Sequence, residues 1–139
     1  MNYLLDTCVV SELVSKQPNQ KVVAWIDSLE SEQVYLSAIT IGEITKGIEK
    51  LPESKRKGDL KVWLNHELLP RFQGRILPLG TDVLIQWGAL LAQLDADGNP
   101  MPAIDSLIAA TVLTYGITLV TRNVADFEAT GVKTFNPWE

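Results

Sequence analysis

Short runs of apolar residues alternate along the chain with longer segments in which apolar residues recur every three or four positions. Runs of the first kind are typical of buried strands, and segments of the second kind are typical of amphipathic helices. The pattern predicts four strands and a candidate fifth at the sheet edge, which cover residues 2–5, 33–37, 75–79, 117–121 and 133–135.

Helices are predicted between these strands because residues that favour helix ends stand at the right places. Their starts are predicted at Asp6 or Thr7, Asn19, Thr40, Thr81 and Pro102. A further helix follows Pro52, and its predicted end is near Leu69, because Pro70 cannot continue an ordinary helix. The turn at 97–100 and Gly116 predict two more ends.

This alternation predicts an α/β fold of three layers, α/β/α, with a central, mainly parallel sheet of four to five strands. The 139 residues contain no repeat, low-complexity tract or linker, so we expect a single domain over 1–139. A chain of this length buries about 70% of its unfolded surface, enough for a core without disulfides or a structural metal. The one cysteine, Cys8, lies in an apolar stretch and is predicted to be buried.

The net charge of the chain and its distribution argue against some classes of function. The formal net charge of −5 argues against a passive nucleic-acid binder, which gains affinity by neutralising phosphates. Residues 46–61, however, carry a net charge of +3, which leaves −8 on the rest of the chain. The first residues lack a basic segment followed by a long apolar run, so we expect no signal peptide and no membrane span, and a cytoplasmic protein.

Acidic or amide residues stand where strands end or helices start. Asp6 and the pair Asn123 and Asp126 directly follow predicted strands, and such positions share the carboxyl edge of a parallel sheet. Asp105 stands at the start of a helix that leads back into a strand, and Glu43 stands one turn into the helix after the second strand. The topology therefore predicts that these positions lie together.

Each acid alone has an ordinary explanation as a helix cap, a turn residue or a solvated charge. Several carboxylates in one place, however, repel one another unless a cation lies among them. Oxygen ligands favour Mg²⁺ or Mn²⁺. The only histidine, His66, falls within a predicted helix and matches no zinc spacing. We therefore expect a Mg²⁺ or Mn²⁺ site that activates water, with no nucleophilic side chain.

Four segments together resemble the motifs of the PIN-domain family, and within it the VapC toxins of type II toxin–antitoxin systems, including their FitB-like group. In chain order they read YLLDTCVVSEL at 3–13, LSAITIGEI at 36–44, DSLIAAT at 105–111 and LVTRNVADF at 119–127, and the ending NPW at 136–138 also fits. The likeness spans almost the whole chain. Each motif alone is a weak signal of the family, but four motifs in this order are a strong one.

The resemblance implies a PIN-like domain that is a metal-dependent endoribonuclease. Its metal-binding acids correspond to Asp6, Glu43 and Asp105, and its fourth acidic position corresponds to Asn123. An amide oxygen still binds Mg²⁺ but carries no charge. Asp126 either supplies that charge or is a structural residue of the turn, and the sequence slightly favours the second reading.

Other polar residues near the motifs are candidates for supporting roles. Thr7 and Thr121 either orient a ligand carboxylate or cap helices, with about equal weight. Arg122 is a candidate for contact with an RNA phosphate or with a partner's tail. Lys46 belongs to the basic stretch 46–61, which either guides RNA to the acidic site or is a solvated helix surface.

The resemblance further implies a homodimer that assembles with a cognate, VapB-like antitoxin into a larger complex, contacts DNA only through that antitoxin, and has no membrane partner. Two alternatives stay open. One is a catalytically silent partner-binding subunit of a DNA-binding regulatory complex. The reason for this alternative is that Asn123 is an amide at a position where the family has an acid. The other is a nuclease of the same fold directed at DNA, since nothing in the sequence identifies a reader of the 2′-hydroxyl.

Overall fold

A computed structural model describes all 139 residues, and its five strands form one sheet in the order β3-β2-β1-β4-β5. Every neighbouring pair is parallel, which confirms the predicted sheet and its fifth, edge strand. The strands are β1 (Tyr3–Leu5), β2 (Val34–Ser37), β3 (Ile76–Leu77), β4 (Thr118–Val120) and β5 (Thr134–Phe135).

Seven helices flank the sheet. They are α1 (Thr7–Leu13), α2 (Gln20–Asp27), α3 (Ala38–Glu49), α4 (Lys55–Trp63), α5 (Leu69–Arg71), α6 (Thr81–Ala96) and α7 (Ala103–Tyr115). Asp6 and Asn19 cap α1 and α2 through their side chains, and Gly116 ends α7 in the left-handed conformation at φ 63°, all as the sequence predicts. None of these helices is long and apolar enough to cross a membrane.

One predicted helix start and one predicted helix cap are wrong. The helix predicted from Thr40 begins at Ala38, because the Ser37 hydroxyl at the end of β2 accepts the Ile39 N–H and caps it. Thr81 is the first residue of α6 rather than its cap. There the Asp82 carboxylate accepts the Val83 N–H, so the second residue of the helix supplies the acceptor.

The helix predicted to end near Leu69 continues through Pro70 to Arg71. Residues Leu64–Leu68 form a π-helical turn, in which the Leu69 N–H bonds the Leu64 carbonyl five residues earlier. This wider turn changes the hydrogen-bond ladder just before Pro70, which has no N–H to contribute. The proline is therefore accommodated in the chain's helical path instead of ending it.

Apolar residues pack on both faces of the sheet. Leu5 belongs to a cluster of 13 buried residues on the side of α1 to α4, and Leu4 belongs to a cluster of 8 buried residues on the side of α6 and α7. Successive strand residues point to opposite faces, so β1 supplies both layers of core. This confirms the three-layer arrangement and places the end of β1 between the helices of both sides.

The central strands place their carboxyl ends side by side. Leu5 of β1 pairs in register with Val120 of β4, and the Asp6 N–H donates to the Val120 carbonyl at 2.9 Å. Asp6 and Thr121 therefore leave adjacent strands at the same edge. Ser37 leaves β2 on the other side of β1, where α3 begins.

Candidate metal centre

Asp6 is the best-fixed acid at the carboxyl edge. It lies between β1 and α1 as the N-cap of α1, and it is only 7% exposed. Its Oδ1 accepts the Thr7 N–H at 2.8 Å, and its Oδ2 accepts the Thr121 hydroxyl at 2.8 Å. The carboxylate is thus held by one hydrogen bond from α1 and one from the end of β4.

Glu43 is oriented by a hydroxyl from the neighbouring helix. Its Oε1 accepts a hydrogen bond from Thr7 Oγ1 at 2.6 Å, and that hydroxyl also lies 3.2 Å from Thr40 Oγ1. Thr7 stands next to Asp6 in the chain, so this contact brings α3 to the start of α1. Thr7 does not cap α1, because Asp6 does, and the capping interpretation of Thr7 is therefore wrong.

Asp105 lies in the first turn of α7 and is electrostatically coupled to the other acids. Burial raises the pKa of its carboxyl above the ordinary value, and the charges of Asp6, Asp126 and Glu43 raise that pKa further. The other three carboxylates therefore lie near enough to Asp105 to affect its ionisation. This is the juxtaposition that the strand order leads one to expect.

Asn123 and Asp126 occupy the turn after β4. The Asn123 N–H donates to Thr121 Oγ1 at 3.1 Å, and its side chain does not cap the following turn. The Asp126 N–H donates to the Asn123 carbonyl at 3.0 Å, while the Asp126 carboxylate accepts no hydrogen bond from the turn. That carboxylate instead contributes to the raised pKa of Asp105.

Cys8 packs against the edge of the core and also contacts this site, so it is only partly buried, less than the sequence predicts. Its Sγ is 3.8 Å from Asp6 Oδ2 and 3.7 Å from Thr121 Oγ1, and the residue is half-buried. Cys8 stands on the first turn of α1, two residues after Asp6, which turns it toward the sheet edge. Burial raises the pKa of the thiol, and the Asp6 charge adds to this, so the thiol is protonated at neutral pH.

The donors at the site are therefore hard oxygens. In the conformation described, no three Asp, Glu, His or Cys side chains approach closely enough to ligate one ion together. Carboxylates without a counter-charge repel one another, in keeping with the raised pKa of Asp105. The residue types suit Mg²⁺ or Mn²⁺, and the protein's own hydrogen bonds fix Asp6 and orient Glu43.

Some basic residues of the stretch 46–61 form ion pairs within the protein. Lys57 is buried and donates to the Glu53 carboxylate at 2.9 Å and to the Glu49 carbonyl, and Lys61 pairs with the Glu49 carboxylate at 3.0 Å. Lys46 is exposed, three residues after Glu43 on α3, and forms no ion pair. The surface next to the site is therefore less basic than the stretch alone suggests.

A groove of about 280 Å³ opens beside Thr7 and Glu43, and the sequence did not predict it. Its apolar walls come from α3, α4 and the segment between them and include Ile44, Ile48, Leu51, Leu60 and Trp63. Arg56 also lines it and donates to the Val14 carbonyl at 3.2 Å. The Ser15 hydroxyl in its wall is buried and has no hydrogen-bond partner. This combination provides both apolar contact area and polar groups for a ligand.

The raised pKa of Asp105 predicts a dependence of stability on pH. The folded protein holds this proton more tightly than the unfolded chain, so ionisation of Asp105 opposes folding as pH rises above its unfolded pKa. With a chelator present at pH 7, Asp105→Asn should melt at a higher temperature than the parent, and the difference should shrink as pH falls toward about 4. Thermal melts measured by circular dichroism test this.

A matched control is Asp59→Asn, which removes the same charge from an exposed residue of α4. That variant should show no comparable gain at pH 7. A melting temperature of Asp105→Asn below that of the parent at pH 7 would contradict the coupling of the four carboxylates.

The comparison with protein families agrees with this geometry. The model of the PIN domain family matches residues 3–133, which include all four carboxylates and Asn123. The chain belongs to the PIN domain family. The resemblance of its four motifs and the three-layer fold are thereby confirmed.

Relatives of this PIN domain cover almost all of it. Toxin FitB of Neisseria gonorrhoeae is 43% identical over 135 residues, which are 97% of each chain. The VapC ribonuclease Y4jK of Sinorhizobium fredii is 40% identical over 136 residues, 98% of this chain and 97% of the relative. The structure of FitAB bound to the IR36 DNA fragment contains a chain that is 42% identical, with a TM-score of 0.93 over 99% of this chain and 96% of that chain.

Proposed function

We propose that this PIN domain is a metal-dependent endoribonuclease that hydrolyses RNA phosphodiester bonds with activated water, and that it acts as the toxin of a type II toxin–antitoxin pair. The observation that carries the proposal is the geometry at one sheet edge, where the Thr121 hydroxyl holds the Asp6 carboxylate and the Thr7 hydroxyl holds the Glu43 carboxylate. The raised pKa of Asp105, to which the charges of Asp6, Asp126 and Glu43 contribute after burial, agrees with this arrangement. The relatives named as a VapC ribonuclease and as a toxin support it independently.

In this proposal Asp6, Glu43 and Asp105 hold Mg²⁺ or Mn²⁺. Asp126 supplies the fourth negative charge, because its carboxylate acts on Asp105 and accepts no hydrogen bond from its own turn, and Asn123 offers a neutral amide oxygen beside it. When bound, the cation lowers the pKa of a water molecule and offsets the charge of the phosphodiester. A cation held by these residues would also offset the repulsion among their carboxylates.

Hydrogen bonds within the chain orient the carboxylates of the site. Thr121 holds Asp6 Oδ2 and Thr7 holds Glu43 Oε1, so two carboxylates are presented in fixed orientations. Hydroxyls in such positions typically change metal affinity or activity by about 10- to 100-fold when they are removed. The protonated Cys8 thiol provides no nucleophile, consistent with direct attack by water.

The proposed partner is an antitoxin of the VapB kind, through which alone the complex would contact DNA. The groove beside Thr7 and Glu43 suits a segment of that partner, because its apolar walls end at Arg56 and the unpaired Ser15 hydroxyl. A segment in this groove would also limit access to the acids. The proposed homodimer would use exposed apolar residues such as Ile85 of α6, which is 70% exposed.

A cleavage assay tests the proposed function. Purified protein is incubated with single-stranded RNA, or with DNA of the same sequence, in Mg²⁺, in Mn²⁺ or in a chelator. We expect cleavage of RNA with either ion, none in the chelator, and recovery when the ion is added back. Cleavage that continues in the chelator would contradict the mechanism, and cleavage of DNA alone would favour the DNA-directed alternative.

Expression in cells distinguishes the toxin from a catalytically silent subunit, the alternative that Asn123 supports by removing one negative charge from the fourth position. We expect growth to stop when the protein is expressed without its partner and to resume when the partner is co-expressed. Continued growth, together with no cleavage in the purified assay, would favour the silent subunit.

A further inference from the structure

We propose that Arg122, held in place by Trp138, binds a phosphate of the RNA strand and positions that strand at the carboxylate cluster. The inference rests on the proposed ribonuclease function and identifies how the same site would hold its substrate. Arg122 is the substrate-contacting residue in this account, and Trp138 is a positioning residue that acts through it.

The backbone of Arg122 is tied to the acidic site. It directly follows Thr121, whose hydroxyl donates to Asp6 Oδ2 at 2.8 Å and accepts the Asn123 N–H at 3.1 Å. The Arg122 carbonyl accepts a hydrogen bond from Asn136 Nδ2 at 3.4 Å. Both neighbours of Arg122 are thereby fixed, and its side chain starts one residue from the hydroxyl that holds Asp6.

The guanidinium of Arg122 stacks on an aromatic face. It lies 5.2 Å from the centroid of the Trp138 ring, within the range of a cation–π contact. Trp138 is half-buried against the core, and its backbone N–H donates to Asn136 Oδ1 at 2.9 Å. The ending Asn136-Pro137-Trp138 thus places a rigid support under the arginine.

Stacking occupies the face of a guanidinium and leaves the donors at its edge available. The Arg122 residue is exposed, and its guanidinium forms neither a hydrogen bond nor an ion pair within the protein. Those donors form a planar fork that matches two phosphate oxygens. Arg75 shows the contrasting case, because its guanidinium donates to the backbone carbonyls of Ser31, Val34 and Arg71.

The electrostatics of the site create a need for such a cation. Four carboxylates and a net charge of −5 oppose the approach of an RNA strand. Lys57 and Lys61 are neutralised by their own ion pairs. Arg122 has no ion-pair partner in the protein, and its backbone directly follows the threonine that holds Asp6, so its guanidinium can bind the phosphate backbone of a strand at this edge of the sheet.

Binding of single-stranded RNA tests the inference apart from catalysis. Fluorescence anisotropy is measured with a labelled oligonucleotide in the Asp6→Asn background, in which the RNA stays intact, over a series of salt concentrations. We expect Arg122→Ala to weaken binding about tenfold, since a hydrogen-bonded charge contact is lost. The slope of log affinity against log salt should fall by about 0.7, the value for one phosphate contact on a single strand.

Conservative variants separate this role from a structural one. Arg122→Lys should keep the salt slope while losing part of the affinity, because an ammonium group carries the charge without the fork. Trp138→Phe should bind as the parent does, and Trp138→Leu should bind more weakly. The double variant of Arg122→Ala with Trp138→Leu should bind no more weakly than Arg122→Ala alone, because Trp138 acts through Arg122.

Arg71 provides the matched control. It too is an exposed arginine near an aromatic ring, 5.7 Å from the centroid of Phe72, but it lines a cavity with Ser31 and Val34 at the opposite edge of the sheet. Arg71→Ala removes the same charge and should leave both affinity and salt slope unchanged.

In the active protein, Arg122→Ala should raise KM with little change in kcat.

The outcomes that overturn the inference are distinct. If the parent binds RNA and Arg122→Ala binds with equal affinity and equal salt slope, Arg122 holds no phosphate, while the ribonuclease proposal stands. A fall in kcat with unchanged KM would equally overturn a binding role. If the parent neither binds nor cleaves RNA, both proposals fail.

Discussion

Replacing Asp6 with Asn is expected to lower RNA cleavage by at least about 100-fold while leaving the fold intact. Loss of a residue that only orients a metal ligand typically costs about 10- to 100-fold, so loss of a ligand charge should cost at least as much. Asn remains a good helix cap and keeps an oxygen for the Thr7 N–H. The assay is cleavage of labelled RNA in Mn²⁺, with circular dichroism to verify the fold.

Asp82→Asn is the matched control for this variant. Asp82 also stands at a helix start, and its Oδ1 accepts the N–H of the next residue at 2.8 Å, as Asp6 does, but it lies in α6 outside the cluster. The Asp82→Asn variant should cleave RNA at the rate of the parent. Equal cleavage by Asp6→Asn would overturn the proposed metal site and would point to a contaminating nuclease.

The second large effect concerns the fourth position of the cluster. Asp126→Asn is expected to lower cleavage by about 10- to 100-fold, the range typical of groups that tune a metal site from beside its ligands. The reason is that the Asp126 charge acts on Asp105. Asn123→Ala should have a clearly smaller effect, because it removes no charge.

The two variants are compared in the same cleavage assay over a range of Mn²⁺ concentrations. Asp126→Asn should need more Mn²⁺ to reach half of its maximal rate, whereas Asn123→Ala should follow the parent. The reverse order would make Asn123 the fourth site residue and Asp126 a residue of the turn. Both residues are exposed, so neither substitution should unfold the protein.

The sheet and the placement of the acids at its carboxyl edge could be predicted from the sequence, because both depend on local patterns. Short apolar runs located the strands, and parallel order puts residues that follow strands at one edge, as it does for Asp6 and Asp126. Asp105 could be placed because its helix leads into β4. The cap positions at Ser37 and Gly80 were not predicted, because several nearby polar residues can cap a helix and packing decides among them.

The supporting contacts could not be predicted, because they join residues far apart in the chain. Thr121 and Asp6 are separated by 115 positions, and Thr7 and Glu43 by 36. The sequence alone gives each threonine two equally weighted interpretations, and the long-range partner decides between them. The groove beside Glu43 likewise depends on how α3 and α4 pack. A pattern of polar and apolar residues specifies which side of a helix is buried, not which neighbour it meets.

Cleavage of RNA by the purified protein in water enriched in the heavy oxygen isotope tests the central claim most directly. Attack by an activated water with a divalent cation at Asp6, Glu43 and Asp105 predicts that the label enters the phosphate of one product end, only when Mg²⁺ or Mn²⁺ is present. Mass spectrometry of the fragments reads this out. An unlabelled cyclic phosphate formed in the presence of a chelator would show that the RNA hydroxyl is the nucleophile and would contradict the account.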